Sequence, residues 1–299
     1  MNALRVAVLR CERLPRFLTW EIPDVEALFA DDRLLVEAFA ARGVEAVPVA
    51  WTDDGVDWNG FDGAVIRSTW DYVDDLAHFL EVIDAIERSR CRLLNPADAV
   101  RWNTDKRYLD DLDDLGVAVV PLLRGDARDA PRLRERIEQA GWGELVLKPA
   151  VGAGGSGVVR ADAAGLERAL AGFPPGTDVL VQPFARSVLD EGEWSYIFIG
   201  GRPSHVLRKR PAVGDFRAHG IYGGTIAPAR PDPSDARAVT AMLARLPFDL
   251  DYARVDVVRF GGRPAVLELE LIEPMLYLDL APGSADRLAD ATLRRLRRA

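Results

Sequence analysis

Residues 144–159 read Glu-Leu-Val-Leu-Lys-Pro-Ala-Val-Gly-Ala-Gly-Gly-Ser-Gly-Val-Val, and no other stretch restricts the fold as tightly. An apolar run leads to Lys148-Pro149. Four glycines then fall within six positions, at Gly152, Gly154, Gly155 and Gly157, before Val158-Val159-Arg160. Glycine lets a backbone take φ > 0 and lie close against a ligand. Successive N–H groups in such a loop form an anion-binding nest. With Lys148 at its entrance and Gly154, Gly155 and Ser156 at its centre, the loop reads as a lid over polyphosphate. The plainer reading is a glycine-rich turn with no ligand.

The glycines also match G-x-G-x-x-G at Gly152, Gly154 and Gly157. A dinucleotide site requires a helix to open at that loop. Here a β-branched pair follows, and helical periodicity begins only near Ala163. The P-loop pattern fails too, because no Gly-Lys-Ser/Thr closes the loop. The stretch therefore predicts strand–loop–strand, a hairpin lid. Lysine usage strengthens the ligand reading. Of 38 basic residues only Lys106, Lys148 and Lys209 are lysines, so the chain covers its surface with arginine. A lysine kept beside the glycines supplies a compact ammonium where arginine would supply a planar fork.

Net charge is −9, which disfavours nucleic acid or an anionic membrane as partner. No apolar run approaches the ~20 residues that span a bilayer. The charged first strand does not read as a secretory signal. Cys11 and Cys91 lack metal spacing and read as free thiols, so a cytoplasmic location is expected. At 299 residues the chain has room for one large or several smaller domains.

Along the chain, strands are expected at 4–9, 44–49, 61–66 and 91–94, with helices at 24–42 and 76–89. This alternation predicts a parallel sheet. Ligands on such sheets sit beyond the carboxyl ends of the strands, which makes the loop Arg67-Ser68-Thr69 a candidate substrate contact. The alternative is a capped helix start. Residues 97–103 read as a boundary between units. Beyond it come helices at 107–115, 133–140, 164–171, 235–246 and from 284 to the end. Strands are expected at 117–123, 179–184, 192–199 and 204–209, a loop at 214–225, and a hairpin at 254–260 and 265–272 around Gly261-Gly262.

In that hairpin side chains alternate faces. Leu267, Leu269 and Leu271 face one way, and Glu268 and Glu270 the other, with Asp256 opposite on the partner strand. Three acids on one patch repel one another, and a hard cation such as Mg²⁺, which shares oxygen ligands with phosphates, relieves that. A solvated strand face is the alternative.

Together these parts resemble the ATP-grasp superfamily, in its glutathione-synthetase and amino-acid-ligase branch. The resemblance rests on Asn103-Thr-Asp-Lys106, the glycine lid, Val181-Gln-Pro-Phe184 with Gly192-Glu193, Gly214-Asp-Phe-Arg217 with Gly223-Gly224, and Asp256 with Glu268 and Glu270. It implies an α/β ATP-grasp fold with an N-terminal parallel-sheet domain over 1–102. An ATP-grasp domain would cover 103–299, its lid part 103–184 and its central part 185–299. It further implies that Lys106 and Lys148 hold the ATP phosphates, that Gln182, Pro183 and Phe184 meet adenine, and that Glu193 meets ribose. Asp256, Glu268 and Glu270 would hold two Mg²⁺. Arg217 would contact the transferred phosphate, acting with Lys148 as catalytic machinery. The branch often has asparagine where Glu270 stands, and a small residue where Glu273 stands, which here would contact a substrate amine.

More narrowly, residues 19–24 (Thr-Trp-Glu-Ile-Pro-Asp), Arg67-Ser-Thr-Trp-Asp-Tyr72 and residues 267–274 resemble the cyclo-ligases that close O-ureido-D-serine to D-cycloserine in antibiotic biosynthesis. That resemblance implies a small amino-acid substrate held by Arg67, Ser68, Thr69, Tyr222, Gly223, Gly224 and Glu273. A homodimer is compatible with it. Two other readings stay open: an intermolecular amino-acid ligase and a nucleotide-binding module without turnover. A protein-kinase-like enzyme is disfavoured, since His-Arg-Asp and Asp-Phe-Gly are absent.

Overall fold

The computed structural model describes residues 3–12, 14, 28–218 and 220–298. The motif at 19–24 lies outside them. Three sheets carry the chain. The first is parallel, in the order β2-β1-β3-β4, with β1 at Arg5–Arg10, β2 at Glu45–Ala50, β3 at Gly63–Ser68 and β4 at Arg92–Leu94. Alternate residues of β1 enter two cores. Ala7 and Leu9 pack with Phe79, Ile83 and Ile86, whereas Val6 packs with Leu35, Phe39 and Leu288. Burial on both faces explains why these strands read as unbroken apolar runs. Helix α1 (Ala30–Ala40) covers one face, and α2 (Leu76–Arg88) the other. The Asp75 carboxylate caps α2 by accepting the His78 N–H.

Arg67 and Ser68 are the last residues of β3, not a loop as expected. The strand runs on because β1 pairs with it to its end, Arg10 opposite Ser68, and Ser68 O accepts the Cys11 N–H. A short 3-10 turn, Trp70–Asp74, follows. Residues 97–103, expected at a boundary between units, form a packed helix, α3 (Ala97–Asn103). Its small residues serve two cores at once: Ala97 and Val100 join the N-terminal one and Ala99 the central one.

Helix α4 (Tyr108–Asp114) leads to a second, antiparallel sheet in the order β5-β8-β6-β7. Its strands are β5 (Leu123–Asp126), β6 (Glu144–Pro149), β7 (Val159–Asp162) and β8 (Asp178–Pro183), packed on α5 (Ala130–Ala140) and α6 (Leu166–Leu170). Strands β6 and β7 pair directly, Leu147 opposite Val159, so the glycine stretch is the tip of a hairpin. After a short helix missed from sequence, α7 (Ser187–Asp190), comes the five-stranded antiparallel sheet β11-β10-β9-β12-β13. It comprises β9 (Glu193–Ile199), β10 (Arg202–Arg210), β11 (Thr225–Pro228), β12 (Tyr252–Phe260) and β13 (Arg263–Glu270). Helices α8 (Pro233–Leu243) and α9 (Ser284–Leu296) complete the described chain. No helix among the described residues is long and apolar enough to cross a membrane.

Two asparagines tie the parallel sheet to the acidic hairpin. Asn95 Nδ2 donates to the carbonyls of Tyr252 (2.9 Å) and Leu271 (2.8 Å), and its Oδ1 accepts the N–H groups of Asp251 (2.7 Å) and Tyr252 (3.3 Å). Asn103 Nδ2 donates to Leu269 O at 2.9 Å, and its Oδ1 accepts the Leu271 N–H at 2.7 Å. Buried backbone groups at the start of β12 and at the end of β13 thus find side-chain partners.

Candidate active site

The lid hairpin lies against the acidic hairpin, and the two expected phosphate lysines meet at the junction. Lys106 Nζ donates to Gly152 O at 2.6 Å and pairs with Glu268 Oε1 at 3.1 Å. Lys148, on β6, donates to Leu267 O at 3.3 Å. Burial pulls the Lys148 ammonium down to about 8, with Lys106 adding to the effect and Glu268 opposing it. Burial would raise the Glu268 carboxyl, yet Lys106 and Lys148 hold it at about 2. Above them Gly154, Gly155 and Gly157 all take positive φ, at 60°, 72° and 68°, a run that side chains would strain. Ser156 sits in that turn, its N–H on Ala153 O.

A second cluster forms behind the first. Register places Asp256 opposite Glu268 and Arg254 opposite Glu270. Asp256 accepts from Lys209 Nζ at 3.2 Å, from Arg254 Nε at 3.0 Å, and from the Ser195 hydroxyl. Lys209 also pairs with Glu193 at 2.8 Å, and Arg254 with Glu270. Burial works against ionised Asp256, but Arg254 and Lys209 keep its carboxyl at about 2. Burial pushes Glu270 up to about 7 despite Arg254. The structure brings Glu193, Asp256 and Glu270 together through two cations, Lys209 and Arg254, that sequence reading left unassigned. Lys209 carried a signal in its scarcity. Arg254 carried one in its spacing, two residues before Asp256 on the same strand face.

The third group comes from the loop before β11. Asp215 accepts from Arg217 Nε at 3.1 Å and Nη2 at 2.7 Å, and the guanidinium lies 3.5 Å from the centre of the Tyr222 ring. The Tyr222 hydroxyl donates to Gly154 O at 3.3 Å, so this loop touches the lid. Gly223 takes φ 77° just after, followed by Gly224. Phe216 meets Phe184 edge-on at 6.1 Å. Phe184 and Pro183 end β8, while the Gln182 side chain turns inward, donating to Val120 O at 2.9 Å. Any adenine contact at Gln182 therefore falls to its backbone.

The expected substrate triad is buried. Arg67 Nη2 donates to Pro274 O at 2.6 Å, and the Ser68 hydroxyl donates to Asp32. Thr69 Oγ1 and Arg67 Nε are buried with no partner among the described residues. Arg67 thereby fixes the segment carrying Glu273, whose own carbonyl accepts from Trp70 Nε1 at 3.3 Å. Burial, reinforced by Glu270, pushes the Glu273 carboxyl up to about 8.

With this geometry in view, the relatives are informative. Residues 6–95 match the family model described as D-cycloserine synthetase DcsG, N-terminal domain. The cycloserine biosynthesis protein DcsG of Streptomyces lavendulae is 35% identical over 286 residues, covering 88% of this chain and 93% of that protein. The chain belongs to the DcsG family. The crystal structure of D-cycloserine synthetase DcsG superposes with a TM-score of 0.83 at 29% identity, covering 98% of this chain and 99% of that one. The ATP-grasp ligase PsnB, at a TM-score of 0.66 and 17% identity over 98% of this chain and 100% of its own, shares the fold. This DcsG-family chain is an ATP-dependent ligase with an ATP-grasp fold.

The acids of this DcsG-family site are of the hard-oxygen type that magnesium takes. Glu268 and Glu270 are hard oxygen donors two positions apart on one face, each keeping a quarter of its side chain exposed. Asp256 is enclosed by Arg254, Lys209 and Ser195. Among the described residues no three acids, histidines or cysteines converge on a single point.

Proposed function

We propose that the chain activates the carboxylate of O-ureido-D-serine with ATP and closes the molecule to D-cycloserine. The observation that carries this reading is the pair of buried lysines, Lys106 and Lys148, meeting Glu268 beneath a positive-φ glycine turn, in a chain that aligns with DcsG over most of its length. Two ammonium groups at the base of a lid suit the β- and γ-phosphates, and positioning with charge stabilisation supplies most of the rate in phosphoryl transfer. Glu268 and Glu270, with Asp256 behind them, would hold Mg²⁺, which neutralises phosphate charge when bound.

The γ-phosphoryl group passes to the substrate carboxylate, giving an acyl phosphate and ADP. Arg217, across the lid contact at Tyr222, stabilises the transferred phosphate. The ureido nitrogen bonded to oxygen then attacks the acyl carbon. The C–N bond forms, the C–O bond to phosphate breaks, and the nitrogen loses its proton. Hydrolysis releases the carbamoyl group as CO₂ and ammonia. Tethering the nucleophile to the activated carbon makes this attack intramolecular, so no second amine has to be bound.

The test is product mass with ATP and O-ureido-D-serine alone. ADP, phosphate and D-cycloserine are expected. ADP formation only when a second amino acid is added would replace this reading with an intermolecular ligase.

A further inference from the structure

We infer that Asp215 is a positioning residue for phosphoryl transfer, holding the Arg217 guanidinium in the orientation that meets the group in flight. This rests on the reading of Arg217 as the contact for the transferred phosphate and deepens it.

Asp215 follows Gly214, whose φ is 88°, and opens a turn in which one carboxylate serves backbone and side chain together. Its Oδ1 accepts the Phe216 N–H at 2.7 Å and the Arg217 N–H at 2.9 Å, an Asx-type arrangement. The same oxygen accepts from Arg217 Nε at 3.1 Å, and Oδ2 accepts from Nη2 at 2.7 Å. One acid therefore fixes both the backbone that carries the arginine and the planar end of its side chain. Such a two-point pair sets the plane of the guanidinium, which a lysine ammonium could not offer. It engages two of the five N–H donors and leaves others for a phosphate oxygen. The guanidinium face lies 3.5 Å from the centre of the Tyr222 ring, and the Tyr222 hydroxyl donates to Gly154 O in the lid turn. Phe216 meets Phe184, at the end of β8, edge-on. Successive residues of the Asp215 turn thus reach the lid unit at two separate places.

Stability does not account for the arrangement. Asp215 and Arg217 keep 22% and 27% of their side chains exposed, and an ion pair so open to water adds little to folding. What it adds is order. A loose arginine samples many rotamers, and collecting it in the transition state slows the reaction. Here it is collected before phosphate arrives. Asp215 also stands apart from the acids of β13, because among the described residues its ion pair is with Arg217, whereas Glu268 pairs with Lys106 and Glu270 with Arg254.

The test is steady-state ADP release by the full chain with ATP, Mg²⁺ and O-ureido-D-serine. The variants are Asp215→Asn, Asp215→Ser, Arg217→Ala and the double variant Asp215→Asn/Arg217→Ala. Asn and Ser each keep an oxygen for the two backbone N–H groups, so the turn survives. Asn sets an amide NH₂ against Nη2, and Ser is too short to grip the fork. Each should lower kcat by ~10- to 10²-fold and leave both KM values and the melting temperature near wild type, since the arginine is misplaced only where it acts in the transition state. In the Arg217→Ala background Asp215→Asn should cost nothing more, because a residue that acts through the arginine has nothing left to act on. Wild-type kcat in both Asp215 single variants beside a slow Arg217→Ala overturns the inference and leaves the phosphate role of Arg217 intact. A loss that persists in the Arg217→Ala background, or one carried by KM with a lowered melting temperature, also overturns it and makes Asp215 a loop-folding residue. Wild-type kcat in Arg217→Ala overturns the phosphate role and the inference together. If O-ureido-D-serine gives no ADP but another amino acid does, the cyclo-ligase reading fails, and the same variants on the accepted substrate still decide Asp215. No ADP release with any amino acid overturns both.

Discussion

Lys148 is the residue where stability and function should separate most clearly. Burial lowers its ammonium from an ordinary 10.5 to about 8, which means that at neutral pH the fold carries a charge it resists by about 3 kcal/mol. Lys148→Met keeps the stem and removes the charge. Glu268 loses one neighbour but keeps Lys106 at 3.1 Å, so part of that gain is offset. The expected melting temperature at pH 7 is unchanged or higher by up to ~6 °C, taking ~2 °C per kcal/mol for a chain of this size. Turnover should fall at least ~10²-fold, the usual cost of deleting one preorganised electrostatic stabiliser. The pH dependence has a definite sign. Between about pH 8 and 10.5 the unfolded lysine binds a proton that the folded one has lost, so wild type gains stability relative to the variant across that window. The measurements are thermal unfolding at pH 7 and pH 10.5 and ADP release at pH 7. A drop in melting temperature of several degrees at pH 7, with activity lost in proportion, would refute the reasoning and make Lys148 a structural tie.

The acidic hairpin and the inter-unit tie give two further expectations. Glu268→Gln should reduce Mg²⁺-dependent ADP release by ~10²-fold or more and lower the melting temperature by several degrees, because it removes the carboxylate that faces the buried Lys106 and Lys148; retained turnover would make the acid structural. Asn95→Ala removes four buried hydrogen bonds and leaves two N–H groups and two carbonyls unpaired, so it should destabilise by about 3 kcal/mol in denaturant titration, and a change under 1 kcal/mol would show that the tie is not holding the units together.

What the sequence made legible and what it hid follow from the range of the signals. The lid and the acid pair were readable because their evidence is local. Glycines within six positions specify a turn, and alternation from Glu268 to Leu271 puts Glu268 and Glu270 on one face; Leu267, expected beside Leu269 and Leu271, is instead the extra residue of a β-bulge and packs in a different cluster, with Val266 taking its place. Lys209 was visible as one of three lysines, yet its role was not. Its partners Glu193 and Asp256 lie on β9 and β12, and only the pairing of β10 with β9, and of β9 with β12, brings the three together. Arg67 was misplaced for a related reason. A parallel strand's end depends on its neighbour, and β1 extends β3 by two residues that read locally as loop. The helix at residues 97–103 was hidden because its alanines give no strong apolar stripe, and small side chains are what a helix needs when both of its faces are packed. The same argument bears on Glu273. The family resemblance offers it as a contact for a substrate amine, but its burial follows from contacts far away in sequence: Trp70 Nε1 donates to its carbonyl and Arg67 to that of Pro274, which no local pattern encodes.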